Sequence, residues 1–296
     1  MTGERPTMVQ EFHYRIGWRT RGHRPGHHRG EQGGGGLDFR GHAPLLDLPD
    51  PRRLDVLASL RDPFENWKVR RYSQRTSVPV WLLADVSASM TFGARARKLD
   101  VLADFALSLA YSAYRTGDPF GCIACDERVR DDALILPTHA KGAGLVAAEQ
   151  LRAIAAPGRS AQGLVQATGH LSRHRSLVFL VSDFHFPDAL LDQVLGGLAR
   201  HEVVPIVLWD PAEYEDLPGF GLALLEDPES GRRRTLWLRP RLRERIAEAY
   251  AKRRAQLTRR FLDNGIRPFF LTGAFQADAL SEFFFAGDVT TGEAVT

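Results

Sequence analysis

The stretch that decides the fold is VPVWLLADVSASM, residues 78–90. Residues 80–84 form a continuous apolar run with β-branched and aromatic side chains, which predicts a strand buried on both faces. The run ends on Asp85, and Ser87 and Ser89 follow at alternate positions. The stretch therefore predicts a buried strand that presents one carboxylate and two hydroxyls at its carboxyl end.

Outward from this strand, apolar runs alternate with segments of helical periodicity. The run SLVFLVSDF at 176–184 predicts a second buried strand with Asp183 as its last polar residue, and residues 98–117 have helical spacing. Other predicted strands lie at 119–127, 203–210 and 266–273, other helices at 143–156, 160–172, 188–202 and 240–265, and a hairpin at 222–238. The alternation predicts an α/β fold with an open, mostly parallel sheet and helices on both faces.

The amino-terminal part has a different composition. Residues 19–36, RTRGHRPGHHRGEQGGGG, are dense in glycine, arginine and histidine, which predicts a mobile loop after a short extended piece at 11–16. Apolar anchors in residues 37–77 are expected to pack as a pad against the main domain: Leu45, Leu46, Leu54, Leu57, Leu60, Phe64 and Trp67. We expect an extension at 1–77 and an α/β domain at 78–296.

Charge and histidine content give no strong indication of nucleic-acid binding. The net charge of +3 equals that of residues 1–36, where six arginines face three glutamates. The arginine-rich helix at 239–260 is interpreted as a solvated face, because it lacks interleaved stacking aromatics. His23, His27 and His28 have no companion ligands at a recognised spacing and are interpreted as part of a flexible basic arm. No nucleic-acid partner is expected.

Several other classes of protein are disfavoured. No apolar run approaches the length of a membrane span and the first residues lack a signal-peptide core, so no membrane span and a cytoplasmic location are expected. Cys122 and Cys125 lie in a predicted strand and are interpreted as small buried side chains rather than a redox or metal pair. No Walker loop and no G-x-S-x-G elbow are present. The chain is therefore expected not to be an enzyme.

The polar residues that end the two strands could hold a cation. Carboxyl ends of parallel strands meet at one edge of a sheet, so Asp85 and Asp183 are expected to lie together. Ser160 stands at a predicted loop–helix junction in the intervening chain. Hard cations such as Mg²⁺ favour oxygen ligands of this kind. The alternative is that Ser87 and Ser89 only cap the following helix.

The same residues resemble the von Willebrand factor A domain and its metal-ion-dependent adhesion site (MIDAS). LLADVSASM, a Lys-Leu helix, a hydroxyl residue in a glycine-containing loop and VSDF occur in the order of that family. The pattern D-x-S-x-S, Thr, Asp corresponds to Asp85, Ser87, Ser89, Ser160 and Asp183, with serine in place of threonine at 160. The resemblance implies bound Mg²⁺, or Mn²⁺ or Ca²⁺, with one coordination position open for a partner's Glu or Asp.

Segments upstream resemble the bacterial "domain of unknown function 58" (DUF58) proteins. That family has a glycine-rich loop, an E-F pair, a G-D-D-x-R-x-I-D-W stretch and a basic-aromatic segment before D-x-S-x-S. The counterparts here are residues 37–39, 49–55 and 69–72, with Val56 where the family often has tryptophan. The resemblance covers roughly residues 30–210. It implies a soluble subgroup that works with MoxR-type AAA+ ATPases in maturation or metal insertion of clients such as methanol dehydrogenase.

Three functions remain open from these residues. The favoured one is a non-catalytic adaptor that binds a partner's acidic residue through a divalent cation. A metal-dependent hydrolase of phosphate esters is the second, although a second acid two residues after Asp85 would be expected and Ser87 stands there. The third is a scaffold whose metal site is vestigial.

Overall fold

The structure, a computed structural model, describes residues 9–18, 25–64, 66–91, 97–155, 158–209, 221–226, 233–238 and 240–286. The chain divides into two compact units. One contains Met1–Arg15, Pro79–Arg115 and Pro119–Thr296, and the other Ile16–Val78 and Thr116–Asp118. We refer to them as the sheet unit and the amino-terminal unit.

The described residues form ten strands. These are β1 Pro25–Pro44, β2 Lys68–Thr76, β3 Val80–Asp85, β4 Phe120–Cys125, β5 Val129–Thr138, β6 Leu177–Ser182, β7 Glu202–Leu208, β8 Gly221–Glu226, β9 Arg233–Leu238 and β10 Phe269–Leu271. Six of them build the central sheet in the order β10-β7-β6-β3-β4-β5, all parallel except for the β4–β5 pair. The open, mostly parallel sheet is confirmed, whereas the antiparallel edge strand β5 was not predicted.

The central strands are buried along their whole length. Every residue of β3, β4 and β6 is buried, as the continuous apolar runs predict for strands covered on both faces. Gly121 in β4 is required by this packing. A Cβ atom at that position would lie 2.7 Å from the ring of Trp81 on β3.

The described part of the chain also contains seven α-helices. They are α1 Val56–Leu60, α2 Lys98–Thr116, α3 Ala143–Arg152, α4 Gly163–Thr168, α5 Asp188–Leu198, α6 Pro240–Asp263 and α7 Ala277–Phe285. The apolar stripe predicted for α2 is buried at every position: Leu99, Leu102, Phe105, Ala106, Leu109 and Ala113. The helix predicted at 160–172 is shorter in the structure, where α4 covers only six residues, and α7 was not predicted.

The first described residues complete the aromatic core of the sheet unit. Residues 9–16 form no strand, but Phe12 is 1% exposed and Tyr14 is also buried. The ring of Phe12 lies 6.1 Å from those of Phe105 and Phe179. The segment predicted as a short extended piece is therefore part of the core.

In the amino-terminal unit, the prediction of a loop at 19–36 is wrong for the described residues from 25 onward. They belong to β1, which pairs antiparallel with β2. A ladder needs only backbone groups, so a segment without core-forming side chains can still be a strand. Shifts of register on both sides of Gly33 show how the ladder accommodates the glycine run. Residues 19–24, and with them His23, lie outside the described residues.

His28 has a defined partner within the same unit. Its Nε2 lies 2.7 Å from Oδ2 of Asp118, and that carboxylate also accepts a hydrogen bond from the backbone N of Val78 at 2.8 Å. The interpretation of His28 as part of a flexible arm is therefore wrong. The side chain of His27 is outside the described residues.

Most of the apolar anchors predicted between residues 37 and 77 are exposed. We use the name apolar surface for five of them and their neighbour Val56: Leu46, Val56, Leu57, Leu60, Phe64 and Trp67, which are 53–93% exposed. Their elements are too short to offer a continuous stripe to a core, because α1 has five residues and the remainder are turns or irregular segments. The expected burial of these side chains is therefore not observed.

The predicted carboxy-terminal hairpin is present as β8 and β9, which pair antiparallel from Gly221–Leu238 to Glu226–Arg233. The turn predicted near residues 228–231 lies outside the described residues. The predicted basic helix is α6, and it is packed through Leu257 and Phe261, both buried in the hydrophobic core. Two of its arginines, Arg253 and Arg260, form ion pairs with Asp188.

Candidate functional site

Three carboxylates stand where neighbouring strands of the central sheet end. Asp85 is the last residue of β3, Asp126 follows β4 and Asp183 follows β6. Their exposed fractions are 0%, 6% and 1%. Carboxylates are rarely buried without partners, because loss of hydration is costly. The contacts of each carboxylate therefore indicate what this edge of the sheet can do.

Asp85 is held by neutral hydrogen-bond donors. Its Oδ1 accepts from the backbone N of Ser87 at 2.9 Å, and its Oδ2 accepts from Oγ of Ser182 at 2.6 Å. Burial, followed by the negative charge of Asp183, raises the pKa of Asp85 to about 6. Ionised Asp85 thus has hydrogen bonds but no cationic partner among the described contacts.

The two serines of the loop after β3 lie together. Oγ of Ser87 is 3.3 Å from Oγ of Ser89, and both side chains are buried. A short 3₁₀ turn, Ala88–Thr91, follows Ser87, and the backbone N of Met90 donates to the Ser87 carbonyl oxygen at 3.0 Å. No hydroxyl–backbone cap is observed for Ser87 or Ser89 in the described part of the chain, and α2 begins only at Lys98. Their hydroxyls face each other beside Asp85 instead.

Asp183 has a cationic partner, Lys98. From the sequence, this lysine was expected only as the first residue of a helix. Nζ of Lys98 donates to Oδ2 of Asp183 at 3.0 Å, and the two side chains are 7% and 1% exposed. Burial alone would raise the pKa of Asp183, but the charge of Lys98, the neighbouring His185 and their hydrogen bonds outweigh it and lower that pKa. The available signal in the sequence was a lysine directly before the apolar stripe of α2.

The backbone around Asp183 is held in an unusual conformation. Phe184 has φ of 54°, which makes it the only non-glycine residue with positive φ in the described part of the chain. This left-handed conformation is costly for a bulky side chain. Oγ of Ser182 accepts from the backbone N of Phe184 at 2.8 Å, and Nε1 of Trp209 donates to the carbonyl oxygen of Asp183 at 2.6 Å. These bonds fix the direction in which Asp183 leaves β6.

Asp126 organises the neighbouring loop rather than joining the pair. Its Oδ2 accepts from the backbone N of Gly158 at 3.1 Å and from Arg130 at 3.0 Å. The carbonyl oxygen of Gly158 in turn accepts from the backbone N of Ala88 at 2.8 Å. The loop that carries Ser160 is thereby held against the loop that carries Ser87 and Ser89.

The structure brings four of the five sequence-predicted residues into one cluster. Asp85, Ser87 and Ser89 are joined by contacts between their polar groups, and Asp183 directly follows Ser182, whose hydroxyl donates to Asp85. Ser160 is half-buried in the adjoining loop. Within the described residues, the Ser160 hydroxyl forms no hydrogen bond with the other four. Lys98 and Ser182 are the members that sequence reasoning missed.

The donor atoms of this cluster fit a hard divalent cation. They are carboxylate and hydroxyl oxygens, which suit Mg²⁺, Mn²⁺ or Ca²⁺ rather than Zn²⁺ or copper. No group of three or more His, Cys, Asp and Glu side chains with metal-binding geometry occurs among the described residues. The cluster relies instead on two carboxylates and hydroxyls, and among the described ion pairs its carboxylates have one cationic partner, Lys98.

The two cysteines have no part in this site. Both are free and buried, and burial raises the pKa of Cys122 to about 12. A thiol of this kind stays protonated and unreactive at neutral pH. Their interpretation as small buried side chains is confirmed.

No helix among the described residues is both long enough and apolar enough to cross a membrane.

Comparisons with known proteins identify relatives across most of the chain. Uncharacterized proteins of Mycobacterium tuberculosis and Mycobacterium bovis are 28% identical over 218 residues, which is 71% of this chain and 66% of theirs. The chain therefore spans slightly less than two thirds of the length of these relatives. A Paracoccus denitrificans protein described as "Uncharacterized protein in moxR 3'region" is 38% identical over 98 residues, covering 33% of this chain and 93% of that protein.

Among solved structures, the conserved hypothetical protein BatB from Bacteroides thetaiotaomicron is similar at 14% identity with a TM-score of 0.42, covering 73% of this chain and 99% of that one. A family model described as "Protein of unknown function DUF58" matches residues 50–256. Because this match covers well over half of the sequence, the chain belongs to the DUF58 family.

Proposed function

We propose that the protein is a non-catalytic adaptor that binds an acidic residue of a partner protein through a divalent cation, in a domain of the von Willebrand factor A type. The cation would be Mg²⁺, with Mn²⁺ and Ca²⁺ as alternatives. The residues that would hold it are Asp85, Ser87, Ser89, Ser160 and Asp183. The proposal combines the family resemblance with the geometry of the cluster.

One observation carries this proposal: Asp85 and Asp183 are both buried at the same edge of the sheet, and among the described ion pairs only that of Lys98 with Asp183 involves either carboxylate. Two like charges in a poorly hydrated site repel each other and raise the free energy of the folded state. A bound divalent cation offsets that cost. The arrangement is therefore poor for stability alone and well suited to binding a cation.

The serine hydroxyls have a specific role in this proposal. A site with few direct carboxylate ligands leaves much of the ion's charge uncompensated, which favours a further acidic ligand. Ser87 and Ser89 orient neutral oxygens, and Ser182 keeps the Asp85 carboxylate in place through its 2.6 Å hydrogen bond. The bound ion would supply the attraction for a carboxylate from a partner.

For the partners, we propose a MoxR-type AAA+ ATPase and a client protein, such as methanol dehydrogenase, that supplies the acidic ligand. The Paracoccus relative described by its place in a moxR 3' region supports the ATPase. The client and the role in maturation or metal insertion rest on the family resemblance alone.

Calorimetric titration of MgCl₂ into EDTA-treated, dialysed protein tests the cation site. Wild type is expected to bind one Mg²⁺ and Asp85→Ala none, whereas the control Asp263→Ala, at an exposed position of α6, should match wild type. MnCl₂ and CaCl₂ titrations identify the preferred ion. Absence of binding to wild type by all three ions would contradict the proposal.

The partner is tested by pull-down of a MoxR-type ATPase with and without EDTA. Capture by wild type that EDTA and Asp85→Ala both abolish is expected. Equal capture in EDTA would contradict the cation bridge. Hydrolysis of p-nitrophenyl phosphate that requires Mg²⁺ and disappears in Asp85→Ala would instead support the hydrolase.

A further inference from the structure

We propose that Lys98 is a built-in counter-cation that couples binding of the divalent ion to binding of the partner's carboxylate. The inference rests on the proposed function and concerns how the same site is regulated. Lys98 lowers the affinity for the ion alone and favours the state in which the ion and an acidic ligand are bound together.

The position of Lys98 is costly in two independent ways. Its side chain is 7% exposed, and an ammonium group loses most of its hydration when it is buried. It is also the first residue of α2, where the partial positive charge of the helix terminus opposes another cation. Neither helix stability nor solvation explains a lysine there. Its 3.0 Å contact with Oδ2 of Asp183 is a described interaction that helps to offset these costs.

Formal charges show what the lysine does to the site. Asp85 and Asp183 carry two negative charges and Lys98 one positive charge, so the cluster has a net charge of −1. Addition of a divalent ion changes this to +1, and one partner carboxylate then makes it neutral. Buried sites favour neutral sets of charges. Only the complex with both the ion and the acid is neutral.

At pH 8, neighbouring basic groups do not change the net charge of this cluster. Arg253 donates to the carbonyl oxygens of Phe184 and Phe186, and its charge is paired with Asp188. His185 is exposed and stacks on Trp209 with ring centroids 5.7 Å apart. At pH 8 an imidazole is neutral, so among the described residues Lys98 dominates the positive charge close to Asp183.

Removal of the lysine charge reverses the preference. Without it the cluster has a net charge of −2, and a divalent ion alone makes the site neutral. The ion then binds more tightly because no ammonium group repels it and Asp183 is free to act as a ligand. A further carboxylate has no excess positive charge to meet. The lysine thus disfavours binding of the ion alone and favours binding of the ion together with an acidic ligand.

The test uses calorimetry at pH 8 with MgCl₂ as the probe, with and without excess sodium acetate, at ionic strength matched with NaCl. Lys98→Met is expected to bind Mg²⁺ at least about tenfold more tightly than wild type, because a nearby like charge is removed. Acetate should tighten Mg²⁺ binding to wild type several-fold and leave Lys98→Met unchanged. Lys252→Met, at an exposed position of α6, should behave as wild type.

Two further variants keep the test decisive if Lys98→Met does not fold, as judged by circular dichroism. Lys98→Gln should behave like Lys98→Met, and Lys98→Arg, which retains the charge, should behave like wild type. Equal Mg²⁺ affinity for wild type and the neutral variants would overturn the inference while the proposed function stands. An equal effect of acetate on all variants would overturn the coupling. Absence of Mg²⁺, Mn²⁺ and Ca²⁺ binding to every variant would overturn the proposed function itself.

Discussion

Two regions of the molecule reverse the usual distribution of polar and apolar residues between interior and surface. They are the carboxyl edge of the central sheet and the apolar surface of the amino-terminal unit. Asp85 is fully buried, whereas Leu60 and Phe64 are 78% and 80% exposed. At the sheet edge, long buried strands bring polar side chains to positions where hydrogen bonds hold them. The apolar surface instead lies on the five-residue helix α1 and on irregular segments, which provide no face against which apolar side chains can pack. Residue type therefore predicts burial only where a long regular element sets the environment.

The largest expected effect comes from the aromatic core behind the sheet edge. Phe179→Ala should lower the free energy of unfolding by about 4 kcal/mol, because a fully buried ring is lost and a cavity remains. Its ring contacts those of Phe12 and Phe105. Urea denaturation measures the change, with Phe179→Leu as the control that retains most of the volume. A loss below about 1 kcal/mol would mean that this core is not packed as described.

At Asp85 we expect an effect of intermediate size on the free energy of unfolding, with the opposite sign: substitution should stabilise the protein. In the folded state the pKa is raised from 3.8 to about 6, so folded protein binds the proton more tightly than unfolded protein. This contribution to stability is complete below about pH 4 and is lost as the pH rises through about 6. Ionised Asp85 then costs about 3 kcal/mol. Asp85→Asn should therefore stabilise metal-free protein by about 2 kcal/mol at pH 7.5.

Urea denaturation in EDTA at pH 5 and pH 7.5 measures this effect. The stabilisation by Asp85→Asn should be smaller at pH 5, where wild type is mostly protonated. Asp263→Asn, at an exposed position of α6, serves as the control and should change stability by less than about 0.5 kcal/mol at either pH. Destabilisation by Asp85→Asn at pH 7.5 would mean that the carboxylate charge is compensated in the folded protein.

The smallest effect is expected at the apolar surface. Leu60→Ser and Phe64→Ser should each change the free energy of unfolding by less than about 0.5 kcal/mol, because these side chains lose little contact with water on folding. Val69→Ala on β2 in the same unit is the buried comparison and should cost about 2 kcal/mol. A cost above about 1.5 kcal/mol for either serine variant would show that the surface is covered in solution.

Sequence periodicity was sufficient where long elements set the structure. The stripe of α2, the buried strands β3 and β6, and the shared edge that carries Asp85 and Asp183 all follow from spacing alone. Lys98 and Ser182 could not be assigned to the site, because their roles depend on residues far away in sequence. Lys98 contacts Asp183, 85 residues away, and Ser182 contacts Asp85, 97 residues away. The strand β1 was missed for another reason. Its ladder depends on backbone pairing with β2, which glycine and arginine permit but do not signal.

The segment around Phe12 has a consequence for the order in which the sheet unit assembles. The side-chain Oε1 of Gln10 accepts from the backbone N of Ala277, and Oγ of Ser281 accepts from the backbone N of His13, across separations of 267 and 268 residues. Contacts between such distant residues carry a high cost of loop closure and slow the folding of a chain. The ring of Phe12 also needs Phe275 to complete its surroundings. On a ribosome, this part of the core would therefore stay open until α7 had emerged.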